Sequence, residues 1–171
     1  MNVNIRQETP NDYNATEQVV EQAFANAEFS DKNEHLLVSR IRNSEGFLPE
    51  LSIVATEPET NKLVGHILLS KIQIRKNDGK TVESLALAPV SVLPEKQNKG
   101  IGGLLISEAL RKAKELGYFS VIVLGHPEYY PKFGFKSASL WGIKAPFEVP
   151  EFEEVFEELQ LKQWRQAKRM K

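Results

Sequence analysis

The apolar positions in the first quarter of the chain follow a strand pattern and then two helical patterns. Val3 to Arg6 alternates apolar and polar residues as a short strand does. Thr9 and Pro10 then supply a capping residue and a first-turn proline, which together predict a helix start. Apolar residues at helical spacing mark two segments, the first with Val19, Val20, Ala23 and Phe24, the second with Leu36, Leu37, Ile41 and, as a weaker addition, Val38. The intervening ANAEFSDKNE is typical of a loop.

Three strand-like runs occupy the middle of the chain. They read LSIVATE, LVGHILLSKIQIRK and ESLALAPVSVL, and the turn sequences PETNK and NDG separate them. Short turns between successive strands predict an antiparallel meander. Pro89 lies inside the third run, where a missing backbone donor is normally confined to an edge or a bulge. We therefore expect the hydrogen-bond ladder to be broken near Pro89.

The remaining chain predicts a helix, a buried strand and a shorter series of elements. The helix begins at Gly100 and ends at Gly117, the expected residue after its C-cap, and its apolar positions are Ile101, Leu104, Leu105, Ala109, Ala113 and Leu116. YFSVIVLG follows as the buried strand. Phe133–Phe135 predicts a bend, and residues 153–161 fit either a strand or a helix by pattern alone. Residues 162–171 are typical of a basic helical tail.

Composition narrows the possible functions. With 171 residues, 41% hydrophobic and 26% charged, the chain predicts one domain over residues 1–171, ending in the basic tail. The absence of cysteine excludes thiolate nucleophiles, disulfides and zinc–thiolate sites. A net charge of −1 gives no broad positive field, so we expect no nucleic-acid partner. Without a signal-like segment or a long apolar window, we expect a cytoplasmic protein with no membrane partner.

The stretch SVLPEKQNKGIGGLL, residues 91–105, predicts an anion site. A strand ending near Leu93 and a helix starting near Gly100 place unpaired amides and the positive end of a helix dipole at the end of the sheet. Glycines at 100 and 102 let oxygen atoms approach the backbone, and Gly103 relaxes the next turn. The dinucleotide motif would need a glycine where Leu105 stands, and no Walker string occurs.

Two motifs carry a family resemblance. Gln97-x-x-Gly100-x-Gly102 after VSVLP resembles the acyl-coenzyme A signature of the Gcn5-related N-acetyltransferase (GNAT) family, and YYPKFGF looks like that family's later tyrosine motif. The resemblance extends over most of the chain. It implies an α/β (α+β) fold with a mixed, mostly antiparallel sheet of about seven strands, flanked by helices and split at the acyl-CoA slot. Gln97 departs from the commoner arginine, which removes a charge but keeps an amide donor.

The resemblance also assigns cofactor contacts. Acetyl-CoA is the implied cosubstrate, and no metal is implied. Backbone groups of three strand residues should pair with the pantetheine arm, namely Ser91, Val92 and Leu93. The following turn should hold the pyrophosphate through Gln97, Asn98, Lys99, Gly100, Ile101, Gly102 and Gly103. A broken strand pair near Pro89 would leave a slot in which the cofactor's amides replace missing ladder partners.

The implied reaction is transfer of an acetyl group from acetyl-CoA to a primary amine by direct attack in a ternary complex. An amine attacks a thioester as the neutral base, and the leaving thiolate benefits from a proton, so a base and an acid are needed. Tyr130 in YYPKFGF is the candidate acid. Glu83 is the candidate base, with a water chain or one of four loop residues as alternatives: Glu28, Asp31, Glu34 and His35. The Val92 amide is the candidate donor to the developing oxyanion.

Competing interpretations and partners stay open at this point. A noncatalytic acyl-CoA binding or regulatory module would keep the glycine turn without turnover. An RNA-associated role would use the basic tail and Trp164, but no other basic stripe accompanies them. His35, His66 and His126 are too scattered to predict a metal site. The acceptor is a small-molecule or peptide amine, to which the glutamate-rich residues 148–158 would be complementary, and a homodimer is compatible with the sequence.

Overall fold

The computed structural model describes residues 2–27, 30–125, 128–141 and 155–160. The elements, in chain order, are β1 (Asn4–Gln7), α1 (Tyr13–Phe24), α2 (Glu34–Arg42), β2 (Ser52–Thr56), β3 (Leu63–Arg75), β4 (Thr81–Val92), α3 (Ile101–Glu115), β5 (Ser120–Gly125), β6 (Lys136–Ser137) and β7 (Val155–Gln160). This order confirms the predicted mixed α/β class and the three central strands. The segment that fitted either a strand or a helix contains β7. The basic tail lies outside the described residues.

The chain divides into two compact units. The first comprises Met1–Ser70 and Ala88–Lys112, and the second comprises Lys71–Leu87 and Ala113–Lys171. The strands β3 and β4 and the helix α3 each contribute residues to both. The expectation of one domain over the whole chain stays a prediction.

The first unit contains an antiparallel part of the sheet. Strand β1 pairs with β2, which in turn pairs with β3, with Val54 opposite His66. The end of β4 joins β3 through the Leu93 amide, which donates to the Val64 carbonyl at 2.9 Å. A meander with short turns between β2, β3 and β4 was expected from the sequence. The Ala88–Pro89 peptide in β4 is cis, and the predicted break in the ladder near Pro89 stays a prediction.

The helices α1 and α2 pack on this part of the sheet through a small apolar cluster. Val20 from α1, Val38 from α2 and Leu68 from β3 are fully buried, and three partly buried side chains surround them, Phe24, Ile41 and Phe47. Leu36 was predicted on the apolar face of α2 but is 50% exposed. The apolar stripe therefore runs through Val38 and Ile41, three residues apart and on one helix face.

A buried polar network, which the sequence pattern did not reveal, connects both helices to the sheet. The carboxylate of Glu8 accepts hydrogen bonds from Thr16 of α1, from Arg42 of α2 at 2.7 Å and from Ser52 of β2 at 2.7 Å. The Ser52 hydroxyl is also 3.0 Å from His66 Nε2. Burial lowers the pKa of His66 to about 4, so the imidazole is neutral at pH 7. The network fixes the α1–α2 pair on the strands.

The second unit contains the parallel part of the sheet. Strand β4 pairs in parallel with β5 at Leu85–Val121 and Ala86–Ile122, and the hydrogen-bonded order continues β4-β5-β7-β6. The pairs β5–β7 and β6–β7 are antiparallel. The last turn of α3 closes at Gly117, whose φ is 93°, as predicted for a residue after the C-cap. Leu116, predicted as an apolar helix position, is 41% exposed.

Candidate functional site

The predicted anion turn has the backbone that its glycines require. After β4 a short 3-10 turn (Pro94–Lys96) leads to Asn98 and Gly100, whose φ values are 61° and 84°. Asparagine and glycine are the residues that adopt this left-handed region most readily. The Leu104 amide makes a helical hydrogen bond to the Gly100 carbonyl at 3.1 Å. The amides that precede Leu104 in the first turn of α3 therefore have no partner within the helix and are available to an anion.

Close packing against β3 holds the start of α3 in place. Ile101 and Leu105 are buried, and both approach Gly65 of β3. A Cβ added at Gly65 would lie 3.1 Å from Leu105 Cδ1, 3.1 Å from the Ser91 carbonyl oxygen and 3.4 Å from Ile101 Cγ2. Glycine at position 65 thus lets the helix and the end of β4 approach β3 together. Leu104, predicted with the apolar positions, is instead 47% exposed.

The end of β4 directs the polar groups of Val92 away from β3. Because successive residues of a strand direct their amide and carbonyl to opposite edges, the Leu93 hydrogen bond to Val64 turns the Val92 groups to the other edge. The Gln97 side-chain amide donates to the Val92 carbonyl at 3.0 Å, which agrees with that direction. The Gln97 side chain therefore links the turn to the end of β4, a contact that its place in the motif did not suggest.

Side-chain charge in this turn is partly neutralised. Lys96 forms an ion pair with Glu57 at 2.9 Å, and the hydrogen bond from Lys96 holds the pKa of the Glu57 carboxyl below its usual value. Lys99 is exposed. That main-chain amides rather than lysine side chains are the main anion donors of the turn stays a prediction.

A cleft of about 340 Å³ lies beside this turn within the first unit. The C-terminal part of α1 and the residues just after it form one wall, and the end of β4 with the following turn forms the other. Its lining consists of Gln22, Ala23, Phe24, Asn26, Ala27, Val90, Ser91, Val92, Pro94 and Gln97. Ser91 is 2% exposed, and its hydroxyl has no hydrogen-bond partner in the described part of the chain. No pattern in the sequence indicated the wall formed by α1.

In the second unit, Tyr130 packs among aromatic side chains. Tyr130 begins a 3-10 turn that ends at Gly134, whose φ of 98° confirms the predicted bend. The Tyr130 ring makes edge-to-face contacts with Tyr129 and Phe135, with centroids 5.2 and 5.6 Å apart. It also lies directly over Gly125, where an added Cβ would be 2.1 Å from Tyr130 Cε2. Tyr130 is 7% exposed, whereas Tyr129 is half-buried and burial raises its pKa.

The candidate bases differ in their surroundings. Glu83 is exposed on β4 in the second unit. In the first unit, the Glu34 carboxylate accepts hydrogen bonds from the Ser30 hydroxyl, and the Asp31 carboxylate accepts one from the Asn33 amide at 2.9 Å. These two carboxylates shape the start of α2, which argues for a structural role. Glu28 and His126 lie outside the described residues.

The structure brings together, in the first unit, all the residues predicted to contact the cofactor, from Ser91 to Gly103. Tyr130 and Glu83 belong to the second unit. In the described ranges, no three histidine or carboxylate residues lie close enough to hold a metal ion. No helix in the part of the chain that the structure describes has the length and apolar character to cross a membrane.

Comparisons with known proteins agree with this geometry. The sequence profile described as "Acetyltransferase (GNAT) family" matches residues 12–135. The chain is 36% identical over 124 residues to the "Uncharacterized N-acetyltransferase YjhQ" of Escherichia coli K12, an alignment that covers 72% of this chain and 67% of the relative. A second relative, YhbS of the same strain, is 31% identical, with 68% of this chain and 66% of the relative covered. The alignments thus span about two thirds of each relative's length.

Solved structures give the same result. A GNAT family acetyltransferase from Brucella melitensis in complex with acetyl-CoA is 33% identical, with a TM-score of 0.71 and coverage of 90% of this chain and 95% of that one. Escherichia coli YhbS in complex with CoA is 25% identical, with a TM-score of 0.77 and coverage of 94% and 82%. The mostly antiparallel, helix-flanked fold predicted for this chain is therefore confirmed.

Proposed function

The chain belongs to the GNAT acetyltransferase family, and from that premise we propose that it transfers an acetyl group from acetyl-CoA to a primary amine. One observation carries the proposal: the turn after β4 presents the first amides of α3 without helical partners, beside a strand edge with outward-facing polar groups. A ligand with a diphosphate would complement the free amides of α3, and an amide-containing arm on the same ligand would complement the strand edge.

The turn and the strand end would hold separate parts of the cofactor. The amides of residues 98–103 would bind the pyrophosphate, and each hydrogen bond to a charged acceptor contributes about 1.5–3 kcal/mol. Gly100 leaves room for the ligand, because a Cβ built there meets no atom within 4 Å. Backbone groups of Ser91 and Val92 would align the pantetheine arm, whereas the Leu93 amide bonds to the Val64 carbonyl and the Leu93 carbonyl accepts from the Lys96 amide. Gln97 donates to the Val92 carbonyl, so we expect it to hold the strand end and the turn in one orientation.

The chemistry requires a nucleophile, an oxyanion donor and an acid. The neutral amine nitrogen attacks the thioester carbonyl carbon, forming the C–N bond, and the Val92 amide is our candidate donor to the oxyanion. As the C–S bond breaks, the thiolate takes a proton from the Tyr130 phenol, and the amide nitrogen loses its extra proton to a base. We assign that base to Glu83 or to a water chain, because Glu83 is solvent-accessible.

A noncatalytic acyl-CoA binding module is the alternative. Both functions predict that acetyl-CoA raises the melting temperature, so thermal stabilisation does not separate them. The decisive experiment measures free CoA release with acetyl-CoA across a library of primary amines. Release above the hydrolysis background with at least one amine supports the enzyme, whereas stabilisation by acetyl-CoA without amine-dependent release supports the binding module.

A matched pair of variants assigns the acid. Tyr130→Phe should lower kcat by about 100-fold or more, the range that a general acid contributes, and should remove the alkaline limb of the kcat profile. Tyr129→Phe is the control, since Tyr129 is the adjacent phenol and makes edge-to-face contacts with Tyr130 and Phe133. Wild-type turnover and an unchanged pH profile in Tyr130→Phe would remove Tyr130 from the mechanism.

A further inference from the structure

Strand β3 extends well past the strand that pairs with its first half. Strand β2 pairs with β3 only as far as Leu68, which lies opposite Ser52, the first residue of β2. The chain before Ser52 forms a 3-10 turn (Pro49–Leu51) rather than a strand. Strand β3 continues to Arg75, and its neighbours in the sheet are β2 and β4. In the part of the chain that the structure describes, residues 71–75 therefore have no strand on the side opposite β4.

Three residues of this stretch direct their main-chain groups to the unpaired edge. The Lys76 amide donates to the Lys80 carbonyl across the β3–β4 turn at 2.7 Å, so the polar groups of Lys76 face β4. Because successive strand residues direct their amide and carbonyl to opposite edges, Lys71, Gln73 and Arg75 present theirs to the free edge. Such an edge is a template for pairing with an added extended peptide.

The two faces of the same stretch differ in chemistry. Side chains two residues apart in a strand lie on one face, which groups Lys71, Gln73 and Arg75 together. The opposite face carries Ile72 and Ile74. Gln73 and Arg75 are exposed, and the other three residues are partly buried. A peptide strand added to this edge would therefore meet polar, mostly basic side chains on one face and isoleucine side chains on the other.

The β3–β4 hairpin end, residues 71–83, carries unbalanced positive charge. It contains two carboxylates and four cationic residues, Lys71, Arg75, Lys76 and Lys80. Within the described ranges none of these four cations forms an ion pair. Two copies of the chain paired through this edge would place like charges opposite each other, which disfavours self-association. An acidic strand would instead place carboxylates beside the basic side chains.

We propose that the β3 edge at residues 71–75 binds an extended acidic segment of a partner protein by strand addition. The partner segment alternates acidic and apolar residues, so its carboxylates lie on the face of Lys71 and Arg75. Its apolar side chains lie on the face of Ile72 and Ile74. Its backbone pairs with the three outward-facing residues. This binding does not depend on acetyl transfer, because none of these residues belongs to the predicted active site.

A short acidic peptide blocked at both ends tests this surface, and it lacks the primary amine that an acetyl acceptor needs. The probe is acetyl-Glu-Val-Glu-Val-Glu with a C-terminal fluorescein amide, and fluorescence anisotropy measures its binding to the full chain. We expect saturable binding that weakens at high salt. The isomer acetyl-Glu-Glu-Glu-Val-Val has equal charge and should bind about 10-fold more weakly, because its carboxylates no longer share one face.

Three results with these probes would overturn the inference. One is the absence of saturable binding by the alternating peptide. Another is equal affinity of the two isomers, which would show that charge alone attracts them. The third is a single-stranded oligonucleotide that competes with the peptide at equal affinity, which would show a general polyanion surface.

Variants separate backbone pairing from charge. Gln73→Pro removes an amide from the free edge but none from the pairing with β4, so the fold should persist while peptide affinity falls by about 10-fold. Gln73→Ala is its control and should keep the affinity within about 2-fold. Lys71→Glu should weaken binding by about 10-fold, whereas Lys114→Glu, the same charge change at an exposed position of α3, should not.

Thermal unfolding shows which variants keep a cooperative transition and are folded. Unchanged peptide affinity in folded Gln73→Pro would overturn strand addition. Equal losses in Lys71→Glu and Lys114→Glu would overturn the assignment to the β3 edge. If Gln73→Pro does not fold, the comparison of Lys71→Glu with Lys114→Glu decides the assignment by itself.

Discussion

Gly125→Ala tests whether the position of the Tyr130 ring matters for catalysis. The new Cβ would lie 2.1 Å from Tyr130 Cε2, 2.6 Å from Cδ2 and 3.1 Å from Cζ. Carbon atoms pack best at about 3.5–4.0 Å, so the ring has to move by roughly 1.5 Å. Tyr129 and Phe135 contact the same ring edge-to-face and oppose that movement. Gly125→Ala should therefore lower the free energy of unfolding and also displace the Tyr130 phenol.

The expected magnitudes follow from these contacts. Overpacking costs about 1–3 kcal/mol of unfolding free energy, which for a chain of this size lowers Tm by roughly 2–12 °C. A displacement of more than about 1 Å in a catalytic group costs on the order of 100-fold in rate. We expect Gly125→Ala to lower kcat by about 100-fold at a temperature well below its Tm, with a smaller change in KM for acetyl-CoA.

The assay measures CoA release and thermal unfolding in parallel. Gly79→Ala is the control, because Gly79 has a φ of 83° but no atom within 4 Å of an added Cβ. This control should lose stability and keep its kcat. In the double variant with Tyr130→Phe, the Gly125→Ala effect on kcat should disappear, since both changes act on one group. A Gly125→Ala enzyme that loses stability but keeps full kcat would refute the role of Tyr130.

Three further predictions concern the first unit. Gly100→Ala should lower the free energy of unfolding, measured in urea, by about 1–2 kcal/mol, because the φ of residue 100 is 84° and strains any residue with a Cβ, even though the space around that Cβ is open. An unchanged free energy of unfolding would contradict the left-handed conformation at position 100. Gln97→Arg should tighten CoA binding by about 10-fold at low salt and less at high salt, measured by calorimetry; equal affinities would show that position 97 does not reach the diphosphate. Burial lowers the pKa of His66 to about 4 in the folded protein, whereas in the unfolded chain His66 binds a proton below about pH 6.5. Stability should therefore fall by about 3 kcal/mol from pH 7 to pH 4 through His66, and His66→Gln should remove that part of the slope; an equal slope in both proteins would contradict the buried neutral imidazole.

The sequence predicted those elements whose signals are local. Capping residues, strand alternation and turn glycines located the helices and strands, and the left-handed φ of Gly100, Gly117 and Gly134 agrees with the positions inferred for them. Leu36 shows the limit of periodicity. Its apolar character fits a helix stripe, but the sheet contacts Val38 and Ile41 instead, which only the docking of α2 determines.

Contacts between distant parts of the chain were not predictable. Glu8 and Arg42 are far apart in sequence, and no local pattern marks either residue as buried. Their side chains nevertheless form an ion pair at 2.7 Å in a buried network. Gln97 was identified as a donor to a phosphate, but its partner in the structure is the Val92 carbonyl. The cleft wall formed by Gln22 and Asn26 depends on where α1 ends relative to β4, which periodicity does not specify.

The central claim is that the turn from β4 into α3 binds a diphosphate through main-chain amides. A crystal structure of the protein with acetyl-CoA tests it most directly. We predict pyrophosphate oxygens within hydrogen-bond distance of the amides in residues 98–103, and the pantetheine arm along Ser91–Leu93. Acetyl-CoA bound elsewhere, with these amides facing solvent or protein side chains, would contradict the account.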